Sequence, residues 1–152
     1  MTTPDPIVHE AHWLALSPTV AYRLAALRSE VFVVEQDCPY LDLDGRDLEP
    51  DARQCWIETG PDTPVALLRV LGEPDGDGLG RPVLRIGRVV TAPDHRRRGL
   101  AAVLMAHVLR GEGPFVLDAQ SHLADWYGRF GFIATGGEFL LDGIPHLPMR
   151  RP

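Results

Sequence analysis

The stretch from Leu84 to Leu104, LRIGRVVTAPDHRRRGLAAVL, changes its apolar period from two to about 3.6 within a few residues. Val83, Leu84, Ile86, Val89 and Val90 form a branched apolar run that predicts a buried strand, and Pro93 stops it. Leu100, Val103, Leu104 and Val108 then share one face of a helix expected over residues 96–110. The first turn of a helix leaves backbone N–H groups unpaired and carries the positive end of the dipole, so an anion settles there. Arg96, Arg97 and Arg98 crowd this entrance, and Gly99 lets an anion come close to the backbone. A phosphate-bearing ligand is the expected partner.

The other parts of the chain fit around this unit. Ser17-Pro18 predicts a helix start, hydroxyl cap followed by proline, with Val20, Leu24, Leu27 and Val31 on one face. Residues 37–51, rich in aspartate, proline and glycine, read as a loop with a short helical turn. Gln54 to Glu58 and Pro64 to Leu71 predict a hairpin across Gly60, Pro61 and Asp62. Phe115-Val116-Leu117 is a short buried strand, and Ser121 is expected to cap a helix carrying Leu123, Trp126, Tyr127 and Phe130 on its inner face. Residues 132–135 and 146–150 supply the last strands. The order strand, helix, strands, helix, strand, helix, strands argues for an α/β (α+β) mixed sheet with helices on both faces. A chain of 152 residues is expected to be a single domain over 1–152.

Composition removes several classes. No run approaches the ~18 apolar residues of a membrane helix, and the start MTTPDPIVHEAHWL lacks the basic region, apolar core and cleavage site of an export signal. A cytoplasmic location and no membrane partner are expected. The net charge of −6 argues against a nucleic-acid surface, the Arg96 to Arg98 triplet being a local exception. All fifteen cations are arginine, so there is no Walker A lysine. Cys38 and Cys55 form no CxxC pair, His9, His12, His95 and His107 lack metal spacing, and no metal is assigned. Asp42, Asp44 and Asp47 in DLDGRD resemble a calcium loop, but the glycine falls too early and Arg53 stands where the bidentate glutamate belongs. They read as a solvated acidic loop, with attraction of a cationic acceptor as the alternative.

Arg96-x-x-Gly99-x-Ala101 after a Val-Val strand resembles the acyl-CoA signature of the GNAT superfamily of N-acyltransferases, usually Arg/Gln-x-x-Gly-x-Gly/Ala. LRSEVFVVEQDCPYLDLDG, AQSHLADWYGRFGF and DGIPHLPMRR, in that order, resemble its ElaA-like branch. The resemblance implies a GNAT-like fold, a central, mostly antiparallel sheet of about six or seven strands flanked by helices. It also implies a bulge in the Leu84 strand and a splay between that strand and the Phe115 strand, where the cofactor inserts. Acetyl-CoA is the implied co-substrate. Its pyrophosphate would meet the arginines and the backbone of Gly99, Leu100, Ala101 and Ala102, its pantetheine arm the backbone of Val89, Val90 and Thr91, with Gln120 nearby.

By the same resemblance Tyr127 protonates the departing thiolate, a role open to a phenol with pKa near ~10. It equally suits an apolar helix face. An alkylammonium acceptor must lose a proton before attack; Glu35 is the first candidate for base or acceptor binder and His146 the second, with a structural role for either equally open and a water chain as a further route. The acceptor is a small-molecule amine or a protein amine, and a homodimer is compatible with the chain. Two rivals stand beside this reading. Arg28-x-x-Val31-Phe32-x-x-Glu35 also resembles the start of acyl-homoserine-lactone synthases, although the chain is short for that group. The other rival is a non-catalytic acyl-CoA-binding or sensing module.

Overall fold

Ser17 opens the first helix as its composition predicts: the hydroxyl accepts the Val20 N–H at 3.2 Å and Pro18 occupies the first turn. This helix, α1 (Pro18–Arg28), runs on into a wider π-type segment, Ser29–Glu35, whose turns close through Gln36 N–H to Val31 O at 3.1 Å. The computed structural model describes residues 5–152. The strands are β1 (Val8–Ala11), β2 (Arg53–Glu58), β3 (Pro64–Gly72), β4 (Leu84–Thr91), β5 (Phe115–Gln120), β6 (Ile133–Ala134), β7 (Phe139–Leu141) and β8 (Ile144–Arg151). The two remaining helices are α2 (Leu100–Val108) and α3 (Ala124–Gly128). Among the described residues no helix is long and apolar enough to cross a membrane.

One mixed sheet results, in the order β1-β2-β3-β4-β5-β8-β6, with β7 also on β8; it has eight strands rather than the expected six or seven. Every pairing is antiparallel except β4 with β5. The central strand β3 is buried on both faces, so it reads as a continuous apolar run interrupted by Arg69. Leu67 packs with Trp56, Val90 and the α1 residues Val20, Leu24 and Leu27. Ala66, Leu68 and Val70 pack on the other face with Leu104, Met105 and Val108 of α2. Helices therefore cover both faces, as anticipated.

Three local expectations are corrected. Residues 96–99 stay outside α2, because Arg97 (φ 64°) and Gly99 (φ 73°) are left-handed and the helix starts only at Leu100. Ser121 does not cap α3; it opens a short 3₁₀ turn and its Oγ is buried without a partner. The extra C-terminal strand β7 is joined to β8 by Asp142-Gly143, both at positive φ (50° and 77°), between the paired Leu141 and Ile144. An Asp-Gly pair in that conformation is a tight two-residue hairpin turn.

Candidate active site

The cleft begins where the sheet fails to close. β4 and β5 pair at only two rungs, Leu84 with Phe115 and Arg85 with Val116, and then diverge. On its other side β4 carries a bulge: Leu67 faces Val90 and Arg69 faces Gly87, so Arg88 and Val89 together oppose Leu68. Arg88 absorbs the irregularity at φ 52°. Both features match the implied splay and bulge. They leave backbone polar groups of β4 off the ladder beside a cavity of about 630 Å³. Val89, Val90 and Thr91 line it from β4, Leu117 and Gln120 from β5, and Tyr127 from α3. Arg85 spans the fork to Asp118 at 3.0 Å and also pairs with Glu73.

The arginine triplet lies at one end of this fork and divides by role. Arg96 reaches back to Glu35 with two bonds of 2.6 Å and donates to Thr91 O at 3.1 Å. Arg97 and Arg98 are exposed and, among the described residues, make no ion pair. The first bond of α2 runs from Val103 N–H to Gly99 O, leaving the amides of Leu100, Ala101 and Ala102 without intrahelical acceptors. A side-chain carbon at Gly99 would meet nothing within 4 Å, so the space before these amides is open. Free amides, the helix dipole and two unpaired guanidiniums suit a diphosphate. The residues present therefore fit the nucleotide end of a coenzyme A thioester.

Tyr127 is both core and cleft. Its ring meets Trp126 edge-on at 4.9 Å and Phe132 at 6.3 Å, yet it also borders the cavity. Burial pushes its phenol up to about 12, so the hydroxyl keeps its proton at neutral pH. Gln120 donates to Gln36 Oε1 at 3.3 Å, across to the segment that follows α1. His146, register partner of Gln120 on β8, is buried, and its Nδ1 lies 2.7 Å from Ile144 O. A carbonyl can only accept, so Nδ1 carries the proton and Nε2 is left with a lone pair. Glu35 also lines the cavity, but the Arg96 bonds lower its pKa. A carboxylate so held is a weak base; His146 also lines the cavity.

The segment 37–51 departs most from its reading as a solvated acidic loop. Arg28, fully buried at the end of α1, donates Nε to Asp42 at 2.9 Å, Nη1 to Asp47 at 2.7 Å and Nη2 to Asp42 O at 2.9 Å. Arg69 of β3 holds Asp44 with bonds of 2.9 and 3.1 Å, and Arg88 of the bulge lies 2.8 Å from Asp42 Oδ1 and 5.6 Å from the Tyr40 ring centroid. Burial acts to raise Asp44 and Asp47, but the arginine bonds and charges outweigh it; Asp44 falls to about 2 and Asp47 is lowered too. The aspartates are thus already neutralised by the protein. They brace the loop bearing Tyr40 against the bulge and have no charge to spare for an acceptor. Cys38 Sγ donates to Asp142 O at 3.1 Å, tying the loop to the β7–β8 turn on the far side of the cavity.

Residues 54–151 match the family model of the acetyltransferase (GNAT) domain. ElaA of Escherichia coli is 39% identical over 150 residues, covering 93% of this chain and 94% of that protein. UPF0039 protein Rv2851c of Mycobacterium tuberculosis is 45% identical over 139 residues, 90% of this chain and 87% of its own. Among solved structures, an acyl-CoA N-acyltransferase from Pseudomonas aeruginosa superposes with a TM-score of 0.87 at 37% identity, over 97% of this chain and all (100%) of that one. With the forked sheet, the bulge and the open amide turn in place, these likenesses identify the chain as a member of the GNAT acyltransferase family, in the branch that contains ElaA.

Proposed function

We propose that the cleft transfers an acetyl or other short acyl group from acyl-CoA to a primary amine by direct attack, the whole chain acting as a single domain. The observation that carries this reading is the fork between β4 and β5, opening beside the unpaired amides of α2. A pantetheine arm laid along β4 would hydrogen-bond to the bulged backbone as an added strand does. Arg97, Arg98 and the Gly99 to Ala102 backbone would hold the diphosphate, and Arg96 would stay pinned to Glu35.

In the reaction the amine nitrogen forms the new C–N bond, the C–S bond breaks, and the amine's proton ends on the thiol. His146 Nε2, directly or through water, takes the proton of the incoming ammonium. An amide N–H near Val90 stabilises the oxyanion, an interaction that contributes up to ~2.7–4 kcal/mol in comparable sites. Tyr127 donates its proton to the sulfur as its charge develops and is reprotonated by the second proton that the attacking nitrogen releases, while the proton taken by His146 leaves to solvent. The acceptor is a small-molecule or protein amine; no membrane or nucleic-acid partner is required, the site is in the cytoplasm, and a homodimer is compatible with it.

Calorimetry with coenzyme A beside a thiol-release assay over an amine library tests this. Micromolar binding with amine-dependent thiol release is the expected result. Binding without release from any amine indicates a sensing module, and lactone formation from S-adenosylmethionine indicates a synthase. Either would overturn the proposal.

A further inference from the structure

Away from the cleft, the sheet edge and α2 bring three metal-ligating side chains together. Glu10 of β1 and Cys55 of β2 are register partners, and His107 stands over them near the end of α2. Cys55 Sγ is 3.3 Å from Glu10 Oε1, His107 Nε2 is 3.4 Å from the same oxygen, and all three donors lie within 4.8 Å of one another. Zinc bonds of about 2.3 Å to thiolate and about 2.0–2.2 Å to imidazole and carboxylate require donor separations of roughly 3.3–3.6 Å at tetrahedral angles. Two edges already have that length. The third, Cys55 Sγ to His107 Nε2, lies within 4.8 Å, and the His107 side chain is 33% exposed.

We propose that Glu10, Cys55 and His107 form a binding site for a late first-row divalent cation, zinc above all, with water in the fourth position. The mixed sulfur, nitrogen and oxygen set favours such an ion over calcium or magnesium. Glu10 and His107 border a second cavity of about 590 Å³, which gives the ion a route in and the fourth ligand a place. The thiol and the imidazole both turn to one carboxylate oxygen of Glu10. The Cys55 thiol is fully buried, and burial together with Glu10 raises its pKa. An arriving cation replaces the thiol proton, which leaves to solvent, and Sγ becomes a ligand. Spacing along the chain hides this trio, since each donor comes from a different element. None of the three lines the cleft, so the proposal is independent of the acyl-transfer reading.

The bound ion would fasten the edge strand β1 and helix α2 to β2 and stabilise the fold by mass action. Titrating the metal-stripped full chain with cobalt(II), then competing with zinc, tests the site. One equivalent should bind, with thiolate-to-cobalt charge-transfer absorption, release of a proton, affinity rising with pH, and a higher Tm in zinc. Cys55→Ser should abolish the charge-transfer band and Cys38→Ser should keep it; His107→Gln and Glu10→Gln, on the surface, should each weaken binding by about tenfold or more. Should Cys55→Ser fail to fold, the two surface variants decide. No stoichiometric binding, a band that survives Cys55→Ser, or affinity indifferent to both surface variants overturns the proposal.

Discussion

Two arginine clusters in this molecule use the same side chain for opposite ends. Around Asp42, Asp44 and Asp47, the guanidiniums of Arg28, Arg69 and Arg88 are consumed by the fold: each faces a carboxylate within 3 Å, and the first two are buried. Beside α2, Arg97 and Arg98 are exposed and unpaired among the described residues. A buried cation must be matched internally, because desolvating it unpaired costs several kcal/mol. An exposed cation beside open amides keeps its charge for a ligand. Charge alone therefore does not distinguish the two clusters; the presence or absence of an internal counter-charge does. Arg96 stands between the two cases, exposed yet committed to Glu35.

The comparison breaks most readily at Arg28. Arg28→Met keeps most of the volume but leaves Asp42 and Asp47 buried without their partner, and should cost ~3–5 kcal/mol in urea unfolding. A loss below 1 kcal/mol would mean that this cluster, too, is dispensable to the fold. Tyr127, core and cleft at once, is next: Tyr127→Phe should lower kcat by about a hundredfold and leave acetyl-CoA affinity nearly intact. Unchanged turnover would assign the ring to the core alone. Arg97→Glu with Gly99→Glu should weaken coenzyme A binding by roughly tenfold to a hundredfold while Tm moves little, the reverse of the Arg28 pattern. Equal affinity by calorimetry would remove the diphosphate site. The smallest effect is expected at Glu35, where Glu35→Gln frees Arg96 and should change kcat by less than about threefold. A hundredfold fall in kcat across the neutral range, with loss of the acidic limb of the pH profile, would instead make Glu35 the base.

What could be read from the sequence was local. The change of period after Leu84, the Ser17-Pro18 cap and the Gly60 to Asp62 turn each fix an element through neighbours in the chain, and the structure has those elements. The helix entrance was misread by four residues, since a left-handed Arg97 leaves no composition signal. β1 escaped notice because His9 and Glu10 make a polar edge strand of VHEA, whose register comes only from β2. The aspartates of 37–51 looked solvated because their partners lie on α1, β3 and the β4 bulge, up to 46 residues away. The Glu10, Cys55 and His107 trio was hidden for the same reason. Asp142-Gly143 did carry a hairpin signal, flanked by Leu141 and Ile144, that would have found β7.

The divergence of β4 from β5 has a thermodynamic corollary. A sheet split along its middle exposes two inner margins that ordinary proteins shield, and among the described residues no strand pairs in this gap. The chain is thus an incomplete sheet, and under the proposed function a thioester lying in the notch would act as the strand it lacks. Substrate and architecture are then coupled: occupancy should slow amide exchange at Val89 through Thr91 before any chemistry takes place.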